Sequence, residues 1–177
     1  MSTALLVIDV QAGVVRSCLD ADAVVARIHA LVTRARSEGV PVVWVQDEQD
    51  FPYGTDGWQL AVPLVRDAAE PLVRKTYRDS FVDTDLRAVL DGLDVTHLVI
   101  VGAQTDYCVR TTAGRAAADG YDVSLVADAH TTTDAEHDGV TVPAGHVIAH
   151  TNTYWSGLRY PGRRFRVPES ASVDFGG

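Results

Sequence analysis

Ala4-Leu5-Leu6-Val7-Ile8-Asp9 is an unbroken apolar run that ends on a carboxylate. A strand with one wet face alternates apolar and polar residues. A run without alternation reads as a strand buried on both faces, as in a parallel sheet covered by helices. Val42-Val43-Trp44-Val45, Leu98-Val99-Ile100-Val101 and Tyr121 to Val126 repeat the pattern downstream. Between the first two runs, Val24, Val25, Ile28, Leu31, Val32 and Ala35 recur at helical spacing from Asp20 to Glu38, and Gly39 and Pro41 stop the helix. Shorter helices are expected from a cap at Asp83 or Thr84 through Leu86, Val89 and Leu90 to Gly92, from Asp106 to about Asp119, and from Ala144 to His150. Phe165-Arg166-Val167 adds an edge strand, and Arg66 to Arg78 mixes a helix end with an extended segment. The order strand, helix, strand, helix predicts an α/β fold: a three-layer sandwich with a mostly parallel central sheet and helices on both faces. Without a repeat, a low-complexity stretch or a linker, residues 1–177 read as one domain.

Composition narrows the function classes. The chain carries 15 basic and 24 acidic residues, a formal net charge of −9, and no run of three cations. That argues against nucleic acid or an anionic membrane as partner. The longest apolar runs fall far short of the roughly 20 residues of a membrane span. The N-terminal stretch has no basic region or small-residue cleavage site, so a cytoplasmic location is expected. Two cysteines, Cys18 and Cys108, make neither a disulfide framework nor a CxxC pair.

In such a fold ligands bind beyond the carboxyl ends of the strands, which directs attention to the residues after Ile8, Val45, Val101 and Val126. Asp9 would be partly desolvated there and suited to accept a proton, although a buried structural carboxylate reads the same way. Cys108 falls in the first turn of a helix for which Thr105 is a good cap. There the backbone N–H groups favour a thiolate and could hold an oxyanion; a small buried hydrophobe is the competing reading. Lys75, in Arg74-Lys75-Thr76-Tyr77-Arg78, matters only if the fold brings it to Asp9 and Cys108. His146 and His150 share a helix face, but no flanking ligand completes a zinc pattern. A GxGxxG fingerprint, a P-loop and a GxSxG elbow are absent from the sequence.

Three blocks remove the independence of these residues: Leu5 to Gln11, Lys75-Thr76-Tyr77-Arg78-Asp79-Ser80-Phe81 with Thr84 and Leu86, and Val101-Gly102-Ala103-Gln104-Thr105-Asp106-Tyr107-Cys108-Val109. In order and spacing they resemble the isochorismatase-like cysteine hydrolases, a family that includes nicotinamidases, N-carbamoylsarcosine amidohydrolase and ureidoacrylate hydrolases. The resemblance implies a catalytic triad of Asp9, Lys75 and Cys108, a cis peptide between Ala103 and Gln104, and an oxyanion hole from the N–H groups of Gln104 and Cys108. It also implies a homo-oligomer, a dimer or tetramer. Nicotinamidases carry an Asp-x-His metal motif after the second strand, where this chain reads Gln46-Asp47-Glu48-Gln49-Asp50. Relatives that cleave the vinyl ether of isochorismate lack the cysteine. The expectation is therefore a hydrolase without metal or cofactor that cleaves the C–N bond of a small amide, lactam or ureido compound through a thioester on Cys108. The alternatives are a catalytically silent relative that binds a small molecule or a protein, an isochorismatase-type ether hydrolase, and a redox protein pairing Cys108 with Cys18. Gln46, Trp58, Tyr77, Phe81, Tyr107 and Trp155 are the candidate pocket wall, each aromatic having core or subunit interface as its other reading. Specificity is expected from the long loop Gln46 to Gln59.

Overall fold

The computed structural model describes residues 2–176. Six strands form one sheet: β1 (Ser2–Ile8), β2 (Val42–Asp47), β3 (Leu72–Lys75), β4 (Val95–Ala103), β5 (Asp122–Thr131) and, after a short antiparallel hairpin of β6 (Ala135–His137) and β7 (Val140–Val142), β8 (Phe165–Arg166). Their order is β3-β2-β1-β4-β5-β8, and every neighbouring pair is parallel. The chain builds outward from β1 to one side, then crosses back to lay β4 on the other. The strand order thus reverses between β1 and β4, the place where a doubly wound sheet opens a crevice.

The four expected helices appear in order with shifted ends, preceded by a short helix that was not expected. They are α1 (Ala12–Val15), α2 (Ala21–Ser37), α3 (Leu86–Gly92), α4 (Arg110–Ala118) and α5 (Ala144–Gly157). Leu5 and Val7 face one side of the sheet, where they pack with Val25, Ile28 and Val32 of α2. Leu6 and Ile8 face the other, where Leu86 and Leu90 of α3, Ala113 and Ala116 of α4 and Trp155 of α5 cover them. Period-two alternation inside a wholly apolar strand divides it between two cores. No helix among the described residues is long and apolar enough to cross a membrane.

Four differences from the sequence expectation bear on the site. Within Arg66 to Arg78 the extended part is the edge strand Leu72–Lys75, and the expected helix end is absent. β5 runs to Thr131 rather than Val126, because a bulge bends it back against β4. The last helix continues past His150 to Gly157. The helix expected from Asp106 begins instead as a π-helical turn, Thr105–Val109, and becomes α-helical at Arg110.

Gly102 allows β1 and β4 to close at their carboxyl ends. Its φ is +133°, and a Cβ there would lie 2.0 Å from the carbonyl oxygen of Ile8. Gly102→Ala is expected to cost at least about 3 kcal/mol, from the overlap and the unfavourable φ together. Gly92→Ala is its control: a Cβ there meets nothing within 4 Å, so a gain of about 0.4–1 kcal/mol is expected. Urea unfolding of the two variants reads the contrast, and equal stabilities would refute it.

Candidate active site

Four strand ends converge on the crevice. β1 delivers Asp9, held in the left-handed region at φ 49°, which aspartate tolerates better than most residues. β2 ends at Asp47 and β3 at Lys75, paired with each other in register. β4 runs through Gly102 into a cis peptide at Ala103–Gln104 and then into the turn that carries Cys108. In that turn the Gln104 carbonyl accepts from the N–H of Tyr107 (3.1 Å) and of Val109 (3.2 Å), passing over the amide of Cys108.

Lys75 is the centre of the cluster. Its Nζ lies 2.7 Å from Asp9 Oδ2 and 3.3 Å from Asp47 Oδ2, and it donates to Cys108 Sγ at 3.3 Å. Lys75 and Asp9 are each only 1% exposed, so nearly all of this charge is out of water. Gln11 fixes the end of β2 from the side: its Nε2 donates to the Asp47 carbonyl (2.9 Å) and its Oε1 accepts the Asp47 N–H (2.7 Å). Asp47 Oδ1 in turn accepts the N–H of Asp50 (2.9 Å) in the loop that follows β2.

The electrostatics follow from burial. Desolvation lifts the Asp9 carboxyl to about 6, against the opposing pull of Lys75. The Asp9 oxygens accept no well-formed hydrogen bond, so nothing but the ammonium and the thiol beside them restrains the rise. Burial pushes the Cys108 thiol up to about 12, and the Asp9 carboxylate adds to the rise; Lys75 opposes both. Burial disfavours the Lys75 ammonium, but Asp9, Cys108 and Asp47 outweigh it and raise its pKa. The expectation that a helix N-terminus would ionise Cys108 is therefore corrected: desolvation and a neighbouring anion override the dipole, and the resting sulfur is a neutral thiol beside an Asp–Lys ion pair. Thr105 is corrected too: Gln104 takes the cap position, and Thr105, the first residue of the turn, pairs its hydroxyl with His130 Nδ1 at 2.9 Å.

Beside the cluster lies a cavity of about 570 Å³ lined by Asp9, Cys108, Gln104 and Tyr107. Asp47, Asp50, Phe51, Thr76, Arg78 and Thr133 also border it. Of the six residues expected on the wall, Tyr107 lines the cavity, with the Arg78 guanidinium 4.0 Å above its ring. The other five do not. Trp155 is fully buried under the sheet, edge-on to Phe165 at 5.9 Å. Phe81 stacks on Tyr121 at 6.1 Å in the same core. Trp58 packs against Tyr53 at 4.7 Å in the loop, and Tyr77 points to solvent. Gln46 is buried and donates to the Trp58 carbonyl at 2.7 Å, so it anchors the loop. Side chains alternate along a strand, so with Asp47 and Lys75 directed at the crevice, Gln46 lies on the opposite face.

Several site residues escaped the sequence reading. Asp47 stands at a strand's carboxyl end, the same signal that selected Asp9, but was noted there only for the histidines it lacks. Phe51 lies over Gly13, where a Cβ would come within 2.2 Å of its ring. Cys18 accepts from Gln104 Nε2 at 3.7 Å and donates to the Val14 carbonyl at 3.4 Å; both cysteines are free thiols. His146 and His150 border a separate pocket with Asp106 and Arg110. Among the described residues no three His, Cys, Asp or Glu side chains are grouped as a metal cage.

Lys75→Met keeps the aliphatic stem and removes the charge that Asp9 and Asp47 share. Stranding buried carboxylates is expected to cost about 3–5 kcal/mol at pH 7. A carboxyl with a folded pKa above its unfolded value binds protons more tightly when folded, so acid favours the fold. Stability curves for variant and wild type should therefore converge as pH falls from 7 towards 4. Parallel curves would show that the charge is not what the variant loses.

The sequence model of the isochorismatase domain matches residues 3–142. A streptothricin hydrolase of Streptomyces noursei is 40% identical over 152 residues, 80% of this chain and 55% of that protein. The chain thus spans about half the length of the relatives that resemble it at this level. YddQ, an uncharacterised isochorismatase family protein of Bacillus subtilis, is 29% identical across 83% of this chain and 87% of its own. The crystal structure of an isochorismatase from Pseudomonas putida superimposes with a TM-score of 0.87 at 25% identity, covering 97% of this chain and 90% of that one. With a matching domain over most of its length and the same sheet, the chain belongs to the isochorismatase family.

Proposed function

We propose that this protein is a cysteine hydrolase that cleaves the C–N bond of a small amide, lactam or ureido compound through a thioester on Cys108. The observation that carries the reading is the buried cluster of Asp9, Lys75 and Cys108 beside a cavity large enough for a small molecule. A structural ion pair gains nothing from a thiol 3.3 Å from its ammonium, whereas a nucleophile needs a base and a fixed positive charge beside it.

The steps use these groups in order. Asp9 takes the proton of the Cys108 thiol as the sulfur attacks the carbonyl carbon, forming the C–S bond and placing charge on oxygen. The amides of Gln104 and Cys108 hold that oxygen. Lys75 keeps the local charge balanced while the proton moves. Asp9 then returns the proton to the nitrogen, the C–N bond breaks and the amine leaves. Water, deprotonated by the same carboxylate, releases the acid from the thioester and restores the thiol. Lys75 supplies the positive charge and the Gln46-Asp50 segment offers no histidine, so the scheme needs no metal. The kinship with a streptothricin hydrolase supports hydrolysis and makes streptothricin the first compound to assay.

Because Asp9 acts as its carboxylate, kcat/KM should fall below a pH near 6, where the carboxyl titrates. Asp9→Asn is expected to lower it by about 10²–10⁴-fold and erase the acid limb, and Cys108→Ala to abolish turnover. Without a substrate, the alkylation rate of each cysteine against pH tests the same point by peptide mapping. Cys108 should gain reactivity through pH 6 in wild type only. A profile centred near 8.5, as for a free thiol, in both proteins would overturn the proposal.

A further inference from the structure

Asp47 has no step of its own in the reaction above, yet its carboxylate is held on the same ammonium as the base. Oδ2 lies 3.3 Å from Lys75 Nζ, whose shorter contact is Asp9 Oδ2 at 2.7 Å. The main chain fixes this arrangement. The Asp9 N–H donates to the Val45 carbonyl at 2.9 Å, and the Glu48 N–H to the Lys75 carbonyl at 2.8 Å, so the end of β2 is tied to the strand on either side. Gln11, two residues past Asp9 and wholly buried, takes both main-chain groups of Asp47. A surface carboxylate can swing away from a lysine, whereas the backbone that carries this one is bonded on every side.

The local turn does not account for a charge at this position. Oδ1 accepts the Asp50 N–H at 2.9 Å, and an asparagine oxygen would do the same. The charge acts on Asp9 instead. An ammonium in contact with a carboxylate stabilises its ionised form and so weakens it as a base; a second anion on that ammonium offsets the pull and disfavours the first carboxylate as a like charge. The charged and titratable side chains that act on Asp9 are Lys75 from β3, Cys108 from the nucleophile turn and Asp47 from β2. Burial is the largest cause lifting the Asp9 carboxyl. Lys75 and the Cys108 thiol pull it down, and Asp47 is the one of the three that adds to the lift. Asp50 and Arg78 border the same cavity without pairing with this cluster.

We infer that Asp47 is a positioning residue: it holds part of the Lys75 charge away from Asp9 and so keeps Asp9 a strong enough base to take the Cys108 proton. The inference rests on the proposed reaction, in which Asp9 is that base.

Alkylation of Cys108 by iodoacetamide against pH, read by peptide mapping, measures the base without a substrate. Asp47→Asn keeps the shape and an acceptor for the Asp50 N–H while removing the charge. The midpoint expected at about pH 6 in wild type should fall by about half a pH unit or more in this variant. The plateau rate above the midpoint should fall about twofold or more, as for a weaker base. Asp50→Asn removes a carboxylate from the same cavity border and should move the midpoint by no more than about 0.2 of a pH unit, since an exposed charge is screened. A purely structural Asp47 could alter the rate but would not carry the midpoint downward. An unmoved or raised midpoint in Asp47→Asn, or an equal fall in Asp50→Asn, would overturn the inference. Should Asp47→Asn not fold, the ¹³C shifts of the wild-type carboxyl carbons decide: the Asp9 signal should show a smaller step where Asp47 ionises besides its own, and a single step refutes the coupling. If Cys108 of the wild type gains no reactivity through pH 6, the base reading fails and this inference with it, a result distinct from an unmoved variant.

Discussion

One ammonium group, Lys75 Nζ, organises this molecule's functional end. It is buried with the carboxylate of Asp9, within reach of Asp47 and the Cys108 thiol. Taking charges out of water costs several kcal/mol per ion and is recovered only when opposite charges meet in good geometry. The ends of β1, β2 and β3 must therefore finish level with one another, because each contributes one member. A slip of β3 by one residue would turn Lys75 to the far face and strand the two carboxylates. The three-strand register and the cluster are thus a single constraint.

The same burial sets the protonation of the resting site. Desolvation raises both groups, the Asp9 carboxyl to about 6 and the Cys108 thiol to about 12. Near neutral pH the cluster is an ion pair beside a neutral thiol, not a preformed thiolate. A thiolate there would face Asp9 as a second anion with a single ammonium between them. In the proposed reaction, moving the proton to Asp9 as the sulfur attacks would carry the negative charge onto substrate oxygen, outside that crowded space. An acid whose pKa sits near the working pH suits a carboxylate that first accepts a proton and then gives it back.

How much of this was legible in the sequence depended on range. Strands buried on both faces announce themselves in runs such as Ala4 to Ile8, so the sheet and the placement of Asp9 at a strand end could be read locally. β3 could be read only as an extended piece without bounds inside Arg66 to Arg78, because its four residues take their limits from β2 beside them. The juxtaposition of Asp9, Lys75 and Cys108 came from three motif blocks resembling a family, since no local pattern relates positions so far apart. Aromatic side chains misled, because size and hydrophobicity make Trp155 and Phe81 equally good core residues, and the core is where they lie. His130 gave no signal, because its approach to Thr105 depends on how far β5 bulges.

The division of labour in the site has a consequence for specificity. Asp9, Lys75 and Cys108 follow from β1, β3 and β4, whose buried apolar side chains are divided between the two cores. The segment that follows β2 borders the cavity with Asp47, Gln49, Asp50 and Phe51, and it is tied down at several points. Gln11 grips Asp47, Gln46 reaches the Trp58 carbonyl, and the Phe51 ring rests over Gly13. These anchors attach the loop to the base of the site without using the reacting groups. Replacing side chains between the anchors alters what the cavity admits and leaves the Asp9–Lys75 pair untouched, whereas loosening Gln11 or Gln46 moves Asp47, and with it the charge balance around the lysine. A mostly polar border carrying both carboxylates and the Arg78 guanidinium suits, on the proposed function, a substrate held by hydrogen bonds and charge more than by apolar contact, and an unmatched buried polar group is the strongest means a site has of rejecting the wrong compound.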